Sequence, residues 1–455
     1  MHLLRPALVL LGMLLPTSVH AATVLNNVNI IDATGAPLQK NRHIIIRDDR
    51  IGAIGHGAFN GAHSDDNVLD LGGAFVIPGL WNMHVHLTAL LPHNHALDGA
   101  SHGAKVIRAG VNAMEGLRHG FTALKSVGEE GYIDVVLQQA FDEGFLMGPR
   151  VFASGEPVSP TAGHRGDVEK GADGPAEIRK TVRERVQKGA SAIKLFDVEM
   201  LPDELEAALT TARSLGVPVT THSREPATRR AVLAGIDAIE HGYNISNETI
   251  SLMAERGVYY TPTIICNLSA EYIREREERL ARLGYSNDQQ VVRLRTEIAY
   301  ADERSPEHAL FQRQALTKAA KTGVRLMIGS DSMPVGEMGW LEMEQFVLSG
   351  VSEMDTLIAA TSNPAQHMGV GADLGTVEAG KLADLVVLRA NPLENISNIR
   401  RVKMVFKGGI PVDLEPQLGT LRFFDYFESK GAPEAFRGRS EKAAGFVRDG
   451  NPYGD

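Results

Sequence analysis

Six side chains able to hold a cation or move a proton stand out from the apolar runs around them. The stretch "FVIPGLWNMHVHL" (Phe75 to Leu87) ends with His84 and His86 one residue apart. Strand side chains alternate with a period of two, so both imidazoles face one side, with Val85 turned to the other. Imidazole nitrogen suits zinc at about 2.0–2.1 Å, and carboxylate oxygen suits it similarly. Lys194 in "SAIKLF", His222 in "TTHS", His241 in "IEHG" and Asp331 in "GSDS" each close a similar short run. An ammonium inside such a run is costly unless paired, and "SAIKLF" gives Lys194 no acid on its own face. Burial lowers a lysine pKa, and a neutral amine can take up carbon dioxide as a carbamate, which is a carboxylate able to bridge two cations. Taken singly, each has a plainer reading: a hydrogen-bonded rim histidine, or for Asp331 a helix cap. Brought to one place, they make a metal site.

Eight β-branched runs carry or accompany these residues: "FVIPGLWNMHVHL", "FTALKSVG", "RVFASG", "ASAIKLF", "VPVTTHS", "AIEHG", "VYYTPTI" and "VRLMIGSD". Charged segments of helical period lie between most of them, such as "GPAEIRKTVRERVQKG" and "LPDELEAALTTARSLG", the latter with Pro202 near a helix start. Strand alternating with helix eight times predicts an α/β fold, a distorted (β/α)8 TIM barrel over residues 79–364, with the strands' C-terminal ends as the catalytic face. All six residues fall at such ends. Turn-punctuated β segments over 22–78 and 365–412 predict one small β-sandwich domain built from both chain ends. The long connection from Asn267 to Thr322 reads as a helical excursion over the barrel mouth, and 413–455 as an irregular extension.

A net charge of -10 with no Lys/Arg run argues against nucleic acid as a partner. Residues 1–21 read as a signal peptide, with Arg5, the apolar core "ALVLLGMLL" and a small-residue cleavage site after Ala21. That core is far shorter than the roughly 20 residues a membrane span needs, so a periplasmic or secreted protein without stable membrane insertion is expected. Cys266 is the only cysteine, so no intrachain disulfide forms and stability must come from core burial. A homo-oligomer is compatible with all of this.

The segments "PGLWNMHVHL", "GFTALKSVG", "SAIKLF", "THS", "IEHG", "GSDS", "TSNPAQHMGV" and "GTVEAGKLADLVVL" resemble the amidohydrolase superfamily, in its prolidase-like and N-acyl-amino-acid amidase branch, which includes hydrolases of ochratoxin-type amides. The resemblance implies the barrel and sandwich just described. It also implies two divalent metal ions, zinc foremost, with His84, His86 and Asp331 holding one and His222 and His241 the other. Lys194, as its carbamate, would bridge them together with a hydroxide. The chain departs from the pattern at Trp81–Asn82, where many relatives carry Ile/Leu and Asp. Asn82 lies two residues before His84 and is expected to share its face.

The implied reaction is hydrolysis of the C–N amide bond of a small-molecule substrate, an Xaa-Pro-like dipeptide or an N-acyl amino acid. The hydroxide attacks, and Asp331 takes its proton and returns it to the leaving nitrogen. His164 or Tyr243 would help stabilise the oxyanion, while His164, Arg165 and Arg224 are candidates for the substrate carboxylate. His93, His95 and His102, after the first strand, read as mobile loop histidines without a metal role, with a lid as the alternative. Two alternatives stand beside this reading: a cyclic amidase, imidazolonepropionase-like hydrolase or lactonase on the same site, and a binding protein that uses the barrel without turnover.

Overall fold

The structure, a computed structural model, describes residues 21–61, 64–89, 101–164, 170–267, 278 and 306–415. The expected signal peptide (residues 1–21) except Ala21, His93, His95, Arg165, most of the excursion and the extension beyond 415 lie outside the described residues.

Both chain ends build one sheet from β1 (Thr23–Ile30), β2 (Gln39–Arg47), β3 (Arg50–His56), β4 (Asn67–Pro78), β13 (Leu385–Leu388), β14 (Val402–Lys407) and β15 (Ile410–Pro411). Its order is β15-β14-β13-β4-β1-β2-β3. The sheet curls back on itself: Arg50 on β3 bridges Leu382 just before β13, and Ile51 N–H donates to the Lys381 carbonyl at 2.8 Å. The expected sandwich is therefore one folded sheet closed over its own core. Leu25, Val28, Ile44, Ile46, Val76, Leu385 and Phe406 fill that core with the inward members of alternating strands.

The chain enters the barrel directly from β4. The eight strands are β5 (Leu80–Val85), β6 (Phe121–Ser126), β7 (Arg150–Ala153), β8 (Ile193–Phe196), β9 (Val219–Arg224), β10 (Ala238–Tyr243), β11 (Tyr259–Thr261) and β12 (Arg325–Leu326). β5-β6-β7 and β8 through β12 pair in parallel. Two seams close the ring. Val158, just after β7, bridges Leu195 of β8 in parallel. Past β12, Ile328 accepts from Met83 N–H at 2.8 Å and Asp331 N–H donates to His84 at 2.9 Å.

Helices α1 (His102–Arg118), α2 (Ile133–Asp142), α3 (Gly174–Gln187), α4 (Pro202–Ser214), α5 (Ala227–Ala234), α6 (Asn247–Arg256) and α7 (Pro306–Thr322) each fall between consecutive strands. The expected helical segments are α3 and α4, and α4 begins at Pro202 with Glu204 accepting from Leu201 N–H at 2.8 Å. α8 (Val335–Leu348), α9 (Glu353–Ala359) and α10 (Ser362–His367) follow β12. Arg400, between β13 and β14, docks on α8 through Glu337 at 2.8 Å and Glu344 at 2.9 Å, all three buried. Among the described residues no helix is long and apolar enough to cross a membrane.

Candidate metal centre

The paired histidines meet the late aspartate at the barrel rim. His84 Nε2 lies 3.4 Å, and His86 Nε2 3.3 Å, from Asp331 Oδ1. Gly329 makes the approach between the strand ends feasible, since a Cβ there would lie 2.3 Å from Thr261 Cγ2 and 2.8 Å from His84 Cβ. Asp331 adopts φ 45°, a left-handed conformation that aspartate tolerates better than most residues. Burial would raise its carboxyl pKa, but the His84 imidazole and hydrogen bonds from His84 and His86 hold it well below the usual range. Burial likewise opposes charge on His86, yet its contact with Asp331 and the nearby Glu129 leave its pKa raised.

Each of three imidazoles has its Nδ1 against an acceptor. His84 Nδ1 is 2.9 Å from Glu240 Oε2, and Glu240 also receives Lys125 Nζ at 2.7 Å and the Thr220 hydroxyl. His86 Nδ1 is 3.2 Å from the Gly128 carbonyl. His241 Nδ1 is 2.6 Å from Thr263 Oγ1, whose own proton goes to the Pro262 carbonyl at 2.7 Å. A carbonyl, or a hydroxyl already donating, can only accept, so Nδ1 carries a proton, and Nε2 is the nitrogen whose lone pair a cation would take once the ring is neutral.

His222 and Lys194 lie beside these groups. The His222 ring packs 4.5 Å from that of His241, and its pKa falls to about 3 through burial, the Lys194 charge and His164. Lys194 is buried, its ammonium 5.6 Å from the Phe196 ring centre. Donor atoms of His84, His241 and Asp331 lie within 4.8 Å of one another. Imidazole lone pairs and a carboxylate at this spacing are a donor set that fits a divalent transition metal.

Of the expected substrate contacts, His164 stacks on His222 with centroids 4.7 Å apart, and Tyr243 stacks on His241 at 5.1 Å. Burial raises the Tyr243 phenol pKa, so the hydroxyl remains a donor. Arg224 is exposed at the end of β9, and among the described residues no ion pair or ring contact joins it to the cluster. His102 begins α1 and is exposed.

Asn82 lies at an irregular point of β5, where a register shift separates it from Val85. Trp81 and Met83 join an apolar cluster with Ala123, Ala238 and Met327, while Asn82 donates to Ser330 Oγ at 2.9 Å and accepts from Ser330 N–H at 3.0 Å. It thereby orders the backbone just before Asp331.

Sequence reasoning missed Glu240, Lys125 and Thr263. Strict alternation puts Glu240 opposite His241, but His241 adopts φ 64° and both turn inward. Lys125 carried a readable signal, a lysine within "FTALKS", the same signal that singled out Lys194.

The Amidohydrolase family profile matches residues 75–412. Ochratoxinase of Aspergillus niger is 27% identical over 438 residues, covering 84% of this chain and 84% of its own length. The crystal structure of a Xaa-Pro dipeptidase with bound methionine in its active site superposes with TM-score 0.73 at 27% identity, over 86% of this chain and 100% of the other. A prolidase complexed with N-methylphosphonate-L-proline gives TM-score 0.68 at 26% identity, over 86% and 100%.

Proposed function

The chain belongs to the amidohydrolase family, in its prolidase- and ochratoxinase-like branch, and is a hydrolase of C–N bonds; from that premise we propose that it cleaves Xaa-Pro-like dipeptides or N-acyl amino acids with two divalent cations, zinc foremost. His84, His86 and Asp331 would hold one cation and His222 and His241 the other. Lys194 would join them as a carbamate, formed when its neutral amine bonds to carbon dioxide and loses one proton. Cations so placed supply an acidified water at neutral pH and polarise the scissile carbonyl.

The chain's own groups do the rest. Asp331 turns Oδ1 to the paired imidazoles, and Oδ2, 3.9 Å from His241 Nδ1, would take a proton and return it to the leaving nitrogen. His164 and Tyr243, stacked on His222 and His241, line the rim where a substrate oxygen or carboxylate would be met. The single observation that carries the reading is Asp331 Oδ1 within 3.4 Å of both Nε2 atoms. The pattern of residues 1–21 supports export before the enzyme acts.

The test is a substrate panel run on zinc-loaded protein: Xaa-Pro and other dipeptides, N-acyl amino acids, hydantoins and lactones. Turnover of linear amides with a free carboxylate, lost on chelation and regained with zinc, is expected. Turnover confined to hydantoins or lactones would replace the linear-amide assignment.

A further inference from the structure

We infer that Lys125 and Glu240 form a buried, charge-coupled brace that positions His84 and makes the site of His84, His86 and Asp331 the tighter of the two cation sites. The inference rests on the metal reading above and adds to it an order of filling.

The brace spans four strands: Lys125 on β6, Glu240 on β10, Thr220 on β9 and His84 on β5. Lys125 and Glu240 are both 0% exposed, with Nζ 2.7 Å from Oε1. An ammonium donates only, so Oε1 must accept. Oε2 faces His84 Nδ1 at 2.9 Å. Both oxygens are thus committed, one to a cation and one to an imidazole N–H. Either charge alone would be expensive in this interior, and their contact offsets that cost. The barrel layer nearby uses Ala123, Ala238 and Met327, so apolar filling is available to this fold.

The three acceptors behind the imidazoles differ in kind. Behind His86 stands the neutral carbonyl of Gly128, and behind His241 the neutral hydroxyl of Thr263. Behind His84 stands an anion. A carboxylate at Nδ1 fixes ring orientation and tautomer and strengthens Nε2 as a ligand more than a neutral acceptor does. His84 also shares Asp331 with His86, so this half of the centre gathers two carboxylates, one direct and one through the ring.

The experiment is stepwise zinc binding to metal-free full chain, by competition with a chromophoric chelator, on wild type, Glu240→Gln, the Lys125→Met/Glu240→Gln double variant and His84→Ala. Melting of the metal-free proteins is recorded in parallel. The double variant leaves no lone buried charge, so it keeps the test open if Glu240→Gln alone misfolds. Wild type is expected to bind in two unequal steps. The double variant should weaken the tighter step by about 10–100-fold, leaving the weaker step and the metal-free melting temperature near wild type. An unchanged tighter step in a folded double variant overturns the brace while the metal reading stands. So does equal weakening of both steps in proportion to lost melting temperature, the mark of a purely structural pair. Wild type that takes up no zinc, or His84→Ala that binds as wild type does, overturns the metal reading and the brace with it.

Discussion

Asp331 grips His84 twice: its backbone N–H donates to the His84 carbonyl at 2.9 Å, and its carboxylate Oδ1 lies 3.4 Å from the same residue's Nε2. The backbone bond is part of the seam that closes the barrel, so forming the barrel and forming the site are one event. Asparagine tolerates the φ 45° of position 331 and retains one carbonyl oxygen. Asp331→Asn is therefore expected to fold and to keep much of its metal, while turnover falls about 10²–10⁴-fold with the proton carrier gone. Steady-state kinetics beside metal analysis checks this, and undiminished turnover would remove Asp331 from proton transfer.

Much of this centre was legible because barrel geometry concentrates function at strand ends. His84, His86, Lys194, His222, His241 and Asp331 all close short apolar runs, which counting eight such runs assigns to strand ends, and donor atoms of His84, His241 and Asp331 do come within 4.8 Å of one another. What stayed hidden depended on backbone events that composition does not report. Glu240 was masked by the left-handed turn at His241, and the bonds of Asn82 to Ser330 by the 248 positions that separate them. The curling of the terminal sheet turns on the Arg50–Leu382 bridge, a pairing between segments at opposite ends of the chain. Strand register at such separation is set by tertiary packing, which no local pattern encodes.

Glu342 on α8 should make stability pH-dependent. Its buried carboxyl accepts from Ile264 N–H at 3.0 Å and Ile265 N–H at 2.8 Å, yet burial outweighs these bonds and raises its pKa from 4.5 to about 8. The folded state therefore holds this proton more tightly than the unfolded chain. The contribution is whole below about pH 4.5 and is lost as pH rises through about 8. Glu342→Gln has no proton to lose there. Urea unfolding between pH 5 and 8.5 should show wild type losing stability relative to the variant, and parallel profiles would contradict the assignment.

Arg400 links the terminal sheet to the barrel. It is buried against Glu337 and Glu344, so Arg400→Met would leave two carboxylates without their cation. Breaking a buried pair in this way costs about 3–5 kcal/mol. Denaturant unfolding should show a loss of that size. Zinc uptake by the protein that remains folded should match wild type, because the network lies on α8 and not among the rim imidazoles. A loss under about 1 kcal/mol would mean that water reaches the two carboxylates.

Lys194 separates a carbamate from a plain ammonium. Buried beside Phe196, and close enough to help depress the His222 pKa, it sits where a positive charge would repel a cation held by His222 and His241. Converting the amine to a carbamate reverses that charge, so metal uptake and carbon dioxide uptake should be coupled. Metal-free protein reloaded with zinc in carbonate-free buffer is expected to regain little activity, and added bicarbonate should restore it without changing the protein concentration. Lys194→Ala should lose turnover by more than about 100-fold and bind the second zinc weakly, since without the amine no carbamate could form to join the two cations. A short carboxylic acid that fits the space left by the side chain should return part of both in this variant, and leave wild type unaffected. Reloading that proceeds equally well with and without bicarbonate would make Lys194 an ammonium, and the second cation would then have only His222 and His241.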